Sequence, residues 1–460
     1  MIGKLLQAEL EHLIEEGAWE QLRSEFSEIE PPDIADLLVD IPIEQALVLF
    51  RLLPRDQSAE VFSYLPFERQ EELVESLTNE QVQGIFRRMS PDDRTRLLEE
   101  MPAEVTRRLI ASLGPRESQQ ARQLLGYPED SAGRFMTPRY VAIRPEMTAA
   151  QALAHIRANA AGKETLDVVF VVDASGKLLD DLNLSTLALA NPDTQVSELE
   201  DRPMISIPAT TSSEELVRTF ERYDRFVIAV TDVAGNMLGI ITADDVFDLA
   251  EEQATEDIQR LGGMEALDEP YRNVSVWRMV QKRGAWLSIL FAGQLLTATV
   301  MERFEGALAN ALVLAVFIPL IISSGGNSGS QATSLIIRAL ALQELRLGDW
   351  FRVLRREFAT SLLLGLWLGL LGLIRVEGWQ WMGWADYTEY SARVAATIGV
   401  SLLGVVLWGS LVGSMLPFVL KRMGLDPATS SAPFVATLVD VTGLLIYLGA
   451  ATLFLTGALL

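Results

Sequence analysis

Asp440 lies in Pro433-Phe-Val-Ala-Thr-Leu-Val-Asp440-Val-Thr-Gly-Leu-Leu-Ile-Tyr447, the one charged residue of a long apolar segment. An ionised carboxylate at such a depth in a lipid-spanning helix costs several kcal/mol unless it faces water or a cation. It therefore reads as part of an ion pathway, the alternative being an acid tied to a neighbouring helix or kept protonated by apolar surroundings. An earlier apolar segment carries Pro319-Leu-Ile-Ile-Ser-Ser-Gly325-Gly326-Asn327-Ser-Gly-Ser-Gln331, which is too polar and glycine-rich for a lipid-facing helix. Broken backbone lining a cavity is expected there, with carbonyls able to orient a hydrated ion; the competing reading is tight helix packing through small residues. Asn327 and Gln331 beside the glycines favour the pore. A third group of acids, Glu214, Asp224, Asp244, Asp245, Asp248, Glu251, Glu252, Glu256 and Asp257, precedes the apolar half. On a helix Asp245, Asp248 and Glu252 share one face, where like charges repel unless cations intervene; a solvated face is the plainer alternative.

The ligand chemistry is narrowed by what is missing. The chain has no cysteine, and its two histidines, His12 and His155, are far apart. Thiolate sites, Cys/His zinc sites and histidine-based triads are excluded on that ground. A metal site must be built from oxygen, which suits Mg²⁺, Ca²⁺ or Mn²⁺. No Gly-x-x-x-x-Gly-Lys-Ser/Thr loop or other ATPase motif occurs, so the chain is read as a non-enzyme. Residues 1–275 carry 52 acids and 25 bases against 10 and 13 in residues 276–460. The acidity is therefore local: residues 1–275 carry −27 and residues 276–460 carry +3, which make up the whole-chain −24, and so negative a segment repels nucleic acid and anionic lipid and attracts cations in proportion to their valence.

The elements that must position these residues are legible from spacing. Breakers recur every twelve residues at Pro42, Pro54, Pro66, Thr78, Ser90, Pro102 and Gly114, each preceded by an apolar residue, from Ile41 to Leu113. Each unit reads as a short helix and a turn, so residues 1–130 form an all-α helical-repeat domain. A doublet follows. Thr137-Pro-Arg-Tyr-Val-Ala-Ile, a helix-like 148–160 and Val168–Val172 before Asp173-Ala-Ser-Gly recur as Arg202-Pro-Met-Ile-Ser-Ile, a helix 212–223 and Phe226–Val230 before Asp232-Val-Ala-Gly. Short β-branched runs alternating with amphipathic helices make two α/β modules, 131–200 and 201–250. Residues 251–283 read as a charged helical connector interrupted at Gly262-Gly263.

From residue 284 to 460 five apolar segments are long enough to span a membrane, near 285–304, 307–340, 357–376, 393–420 and 431–457. The beginning, MIGKLLQAELEHLIEE, lacks the apolar core of a signal peptide, so the N-terminus is expected in the cytoplasm. Lys282, Arg283, Arg346, Arg352, Arg355, Arg356, Lys421 and Arg422 then fall on cytoplasmic loops, in agreement with the positive-inside rule. Trp379, Trp381, Trp384 and Tyr387 fit an external aromatic belt.

The α/β doublet resembles a tandem pair of CBS domains. In such pairs a Gly-x-x-Thr/Ser-x-Asp turn holds the ribose of an adenine nucleotide, and Gly239-Ile-Ile-Thr242-Ala-Asp244 matches it. That implies an ATP site, although Thr followed by Asp also makes an ordinary helix cap. The first module has Leu178-Leu-Asp-Asp-Leu-Asn-Leu-Ser185 there, without the turn.

Taken together, Gly325-Gly-Asn-Ser-Gly-Ser-Gln331 with Arg338-Ala-Leu-Ala341, Asp426-Pro-Ala running to Asp440-Val-Thr-Gly-Leu-Leu-Ile-Tyr447, and the connector Ala254-Thr-Glu-Asp-Ile-Gln-Arg-Leu-Gly262 resemble the MgtE family of magnesium transporters. The resemblance covers nearly the whole chain. It implies a homodimer in the bacterial cytoplasmic membrane, a pore lined by the second and fifth spans, and Mg²⁺ uptake gated by cytoplasmic Mg²⁺. Asp440, Ala436, Asn327, Gly325, Gly326, Gln331 and Asp426 become the expected pore residues. Glu214, Asp224, Asp245, Asp248, Glu256 and Asp257, with Asp92 from the helical domain, become the expected regulatory Mg²⁺ ligands, and residues 252–270 the plug helix. Gln253, Asp180 and Asp181 depart from the family pattern. A proton-coupled carrier for Co²⁺, Mn²⁺ or Zn²⁺ is the competing function.

Overall fold

A computed structural model describes residues 19–26, 28–199, 202–267, 271, 274–306, 312–384, 387, 390–429 and 431–456. His12 and the first part of the helical domain lie outside the described residues. The chain divides into two compact units, Met1–Ala250 and Glu251–Leu460.

The twelve-residue period becomes a stack of short helices: α1 (Trp19–Phe26), α2 (Pro31–Asp40), α3 (Ile43–Leu52), α4 (Arg55–Ser63), α5 (Phe67–Ser76), α6 (Asn79–Arg88), α7 (Pro91–Glu100), α8 (Ala103–Ser112) and α9 (Pro115–Leu124). Every breaker from Pro42 to Gly114 is the residue immediately before a helix. Proline fixes an extended backbone there, and Thr78 and Ser90 accept the Gln81 and Asp93 amides. The apolar residue ahead of each breaker is buried, so one position per repeat turns the chain and the next builds the core.

Two three-stranded sheets follow. In the first, β1 (Ala142–Ile143) lies parallel to β2 (Val168–Val172), which is antiparallel to β3 (Leu178–Asn183); in the second, β4 (Ser206–Pro208), β5 (Val227–Thr231) and β6 (Met237–Thr242) repeat that order. Between the first two strands of each sheet run α11 (Ala149–Asn159) and α13 (Ser213–Tyr223), and α12 (Leu184–Leu189) follows β3. A short helix ahead of them, α10 (Ala132–Phe135), departs from the sequence division at residue 131. The Ala132 and Gly133 amides donate to Thr211 O and Ala209 O, and Thr137 bridges to Ile240. The segment thus completes the second module, a long-range pairing that local pattern does not reveal.

One helix, α14 (Ala243–Leu261), follows β6 directly and ends just before Gly262. The connector is therefore no separate element: its helix begins in the second module and stops where Gly263 takes a left-handed φ of 74°. The stretch expected to follow as plug to residue 270 is not helical from Gly262 to Leu267, and 268–270 lie outside the described residues.

Among the described residues five helices are long and apolar enough to cross a membrane: α15 (Val276–Arg303), α16 (Leu312–Ala341), α17 (Trp350–Met382), α18 (Ser391–Arg422) and α19 (Ala432–Leu455). The first starts earlier than expected because Ser275 caps it, accepting the Arg278 amide. The broken second span is corrected outright: α16 is one continuous helix through Pro319 and Gly325-Gly326. Its glycines serve close packing instead. A Cβ at Gly409 would strike Gly325 O, and one at Gly413 would strike Gly329 O, so the α16 and α18 backbones approach through paired small residues. Thr333 Oγ1 donates to Gly413 O at 2.9 Å across the same seam, and Tyr447 of α19 donates to Leu314 O at 2.8 Å.

Gly413→Val forces these backbones apart, and overpacking of that kind costs about 1–3 kcal/mol. The detergent-solubilised variant is expected to melt several degrees below the parent, whereas Gly378→Ala, which meets open space, should not; equal midpoints would remove the glycine seam as a source of stability.

Candidate ion-binding sites

Asp440 stands in the third turn of α19, half-buried, with α15 on one side and α16 on the other. Its contact with α15 follows from three matched positions. Trp286 meets Phe434 with ring centroids 6.1 Å apart, Gly293 is so close to Thr437 that a Cβ would come within 2.6 Å of its methyl, and Gln294 Nε2 donates to Asp440 Oδ2 at 2.6 Å. Toward α16 the neighbour is Gly326: a Cβ there would lie 3.5 Å from Ala436 Cβ and 3.9 Å from Asp440 Oδ1. The structure thus gathers Gly326, Ala436 and Asp440.

The other expected pore residues divide. Gly325 is taken by packing against Val405 and Val439. Asn327 and Gln331 are exposed on one stripe of α16 with Ser323, to which Asn327 Nδ2 donates at 3.4 Å. Asp426 stands apart, in the turn before α19, where it accepts the Ala428 amide at 2.8 Å and Arg260 Nη1 at 2.7 Å. Its partner Arg260 also holds Glu256 at 2.6 Å, so both acids are engaged by one guanidinium. Gln294 and Arg260 were not singled out by the sequence reading. Gln294 had a signal, as the one carboxamide in the α15 apolar stretch; Arg260 had none.

In the Met1–Ala250 unit the first turns of α7 and α14 face each other. Asp92 and Asp93 follow the Ser90 cap, Asp245 follows Thr242, and one oxygen from each of the three carboxylates lies within 4.8 Å of the others. Among the described residues this is the group with metal-ligand spacing. Burial pushes the Asp92 carboxyl up to about 7, helped by the Asp93 and Glu164 charges. Burial likewise pushes Asp245 up to about 9, with Asp92 and Asp244 adding to it. Glu164 is raised by burial as well. Asp92 Oδ1 is buried with no hydrogen-bond partner, and Thr242 Oγ1 donates to Asp245 Oδ2 at 3.0 Å. Three carboxylates, one of which carries an unsatisfied oxygen, fit a divalent cation of the Mg²⁺ or Ca²⁺ kind. Asp93 was missed by the sequence reading although it adjoins Asp92.

The remaining acids are not gathered there. Asp248, one turn along α14, lies 3.6 Å from Arg96. Glu214 pairs with Arg218, and Asp224 ends α13 with a left-handed φ of 49°. Asp257, near the end of α14, has partners of its own. Of the nucleotide turn, Gly239 is explained by packing, since a Cβ would come within 2.8 Å of Thr137 O; Thr242 is buried on Asp245, and Asp244 is exposed.

Family comparisons agree with this architecture. The MgtE model, a divalent cation transporter, matches residues 318–450; the MgtE intracellular N domain matches 29–130; and the CBS domain matches 196–252. The magnesium transporter MgtE of Thermus thermophilus is 38% identical over 453 residues, 98% of either chain, and that of Bacillus subtilis 30% over 445 residues, 96% of either. Among solved structures, the cytosolic domain of the Mg²⁺ channel MgtE in complex with ATP is 35% identical with a TM-score of 0.51, covering 53% of this chain and 100% of that one. The soluble part of a magnesium transporter, 22% identical with a TM-score of 0.52 over 55% of this chain and 99% of the other, shares the fold. Identity sustained from the helical repeats to Asp440 leaves one assignment: the chain belongs to the MgtE family of magnesium transporters.

Proposed function

We propose that this chain admits Mg²⁺ through the bacterial cytoplasmic membrane, its N-terminus inside, along a path between α16 and α19 of two copies. The observation that carries the reading is Asp440, one carboxylate on an otherwise uncharged helix, with Oδ1 beside Gly326 and Ala436 nearby. Mg²⁺ sheds water reluctantly, so a carboxylate bordered by small residues suits an ion that keeps much of its shell. The exposed stripe Ser323, Asn327 and Gln331 supports a second copy, because polar side chains at membrane depth need a protein partner or a water-filled path. Two charges entering across about 100 mV, negative inside, gain about 4.6 kcal/mol, which suffices for passive uptake.

Regulation is assigned to the soluble unit. Asp92, Asp93 and Asp245 would hold a regulatory Mg²⁺ that draws α7 onto the first turn of α14. When the ion is scarce the contact rests on the protons held by Asp92 and Asp245, and it loosens as those protons leave. Asp245 opens α14 and Arg260 closes it on Asp426, so one continuous helix links the cation site to the turn before the Asp440 helix. The other acids, Glu214, Asp224, Asp248, Glu256 and Asp257, would add weaker ions, and several sites together steepen the response. An adenine nucleotide at Gly239, Thr242 and Asp244 would compete with Asp245 for the Thr242 hydroxyl, which couples nucleotide to cation.

Asp440→Ala is expected to cut Mg²⁺ uptake into proteoliposomes by at least about tenfold, the effect of withdrawing about 1.4 kcal/mol or more from the ion's site. Undiminished uptake would sink the pore reading.

The regulatory site predicts a pH dependence of definite sign. An unfolded Asp ionises near 3.8, whereas here the carboxyls hold protons to about 7 and about 9. The cation-free contact is therefore firmest in acid and weakens as pH rises through those values. Mg²⁺ must displace the protons, so its binding to the full-length protein should tighten from pH 6 to pH 9 with measurable proton release by calorimetry. Asp92→Asn with Asp245→Asn should abolish that release. A pH-independent affinity in the parent would contradict the assignment.

A further inference from the structure

The α15 helix presents one carboxamide to the ion path, and its contact divides the two oxygens of Asp440. Oδ2 accepts Gln294 Nε2 at 2.6 Å, whereas Oδ1 lies beside Gly326. Register holds the amide in place: Trp286 against Phe434, about two turns before the Gln294–Asp440 pair, and Gly293 against Thr437, within one turn of it, fix α15 on α19. Gln294 is also out of character for its surroundings, since Leu287, Ile289, Phe291, Leu295 and Leu296 around it are exposed apolar residues of a lipid-compatible helix. A carboxamide there is disfavoured unless it finds a partner, and Asp440 is the partner present.

A carboxylate oxygen that already accepts a short hydrogen bond is the poorer and less free ligand of the two, so the ion is offered chiefly the other. Mg²⁺ takes near-ideal octahedral geometry and keeps several waters, so a single oxygen costs it little. Ca²⁺ accepts six to eight oxygens in looser geometry and often takes both oxygens of a carboxylate. We propose that Gln294 is a positioning residue that holds Asp440 in one-oxygen presentation and thereby favours Mg²⁺ over Ca²⁺. This rests on the reading of Asp440 as the pore acid.

The test is uptake of Mg²⁺ and of ⁴⁵Ca²⁺ into proteoliposomes holding the full-length chain, with Gln294→Leu and Gln294→Met as apolar replacements of similar size, Gln294→Glu as the same shape without the amide donor, and Asp440→Ala as the control. Release of Oδ2 should raise the Ca²⁺-to-Mg²⁺ uptake ratio about tenfold or more in Gln294→Leu and Gln294→Met, the scale of losing one hydrogen bond to a charged group. Gln294→Glu should raise it too, or raise the half-saturating Mg²⁺ concentration. A purely structural Gln294 would lower both fluxes in proportion and leave the ratio unchanged, which overturns the proposal; so would loss of monodisperse protein in both apolar variants. If Asp440→Ala also retains full Mg²⁺ uptake, the pore reading falls; if it abolishes uptake while the Gln294 ratios stay unchanged, the positioning role alone falls.

Discussion

Carboxylates withdrawn from water set the terms for this protein. Burying an ionised acid without a partner costs more than most single contacts return, so the fold must supply a proton, a donor or a cation. Asp440 meets this constraint with Gln294 Nε2 on one oxygen, while the other lies beside Gly326. Asp92 and Asp245 meet it with protons held well above the usual carboxylate range, and Asp92 Oδ1 is left without a hydrogen bond. A small, hard divalent ion is the proposed third means of meeting it in both places.

The supporting structure works to keep these acids where they are costly. The glycine seam of Gly325 and Gly329 against Gly409 and Gly413 brings α16 and α18 together at backbone distance, and Tyr447 ties α19 to the start of α16. Gly326 then falls opposite Ala436 and Asp440. Ser90 and Thr242, at the entrances to α7 and α14, aim their first-turn acids at one another. Helix starts favour negative charge, which offsets part of the repulsion among Asp92, Asp93 and Asp245. The device is economical: two helix N-termini, each well formed, produce a contact that is poorly satisfied without a cation.

Much of this was open to reading along the chain. The twelve-residue breakers named each helix start because proline and the Ser/Thr caps act through their immediate neighbours. Five spans and the lone Asp440 were equally plain, since length and apolarity are local properties. The glycines of 325–329 misled in one respect. Propensity alone argues for a broken helix, but backbone packing against α18 offsets that cost, and α16 stays whole. Asp426 was placed with the pore by its motif, yet its carboxylate is engaged by Arg260.

What the sequence determined by itself was the inventory and its order: helical repeats, a paired α/β region, five membrane-length helices, and oxygen as the available metal ligand. Each follows from residue type and short-range periodicity. Which acids meet was decided only in three dimensions. Asp92 and Asp245 are 153 positions apart, and Gln294 and Asp440 are separated by 146. No local pattern encodes such pairs, because they arise from helix packing and register. Tertiary contact therefore turned a long list of acids into one three-carboxylate site and one divided carboxylate.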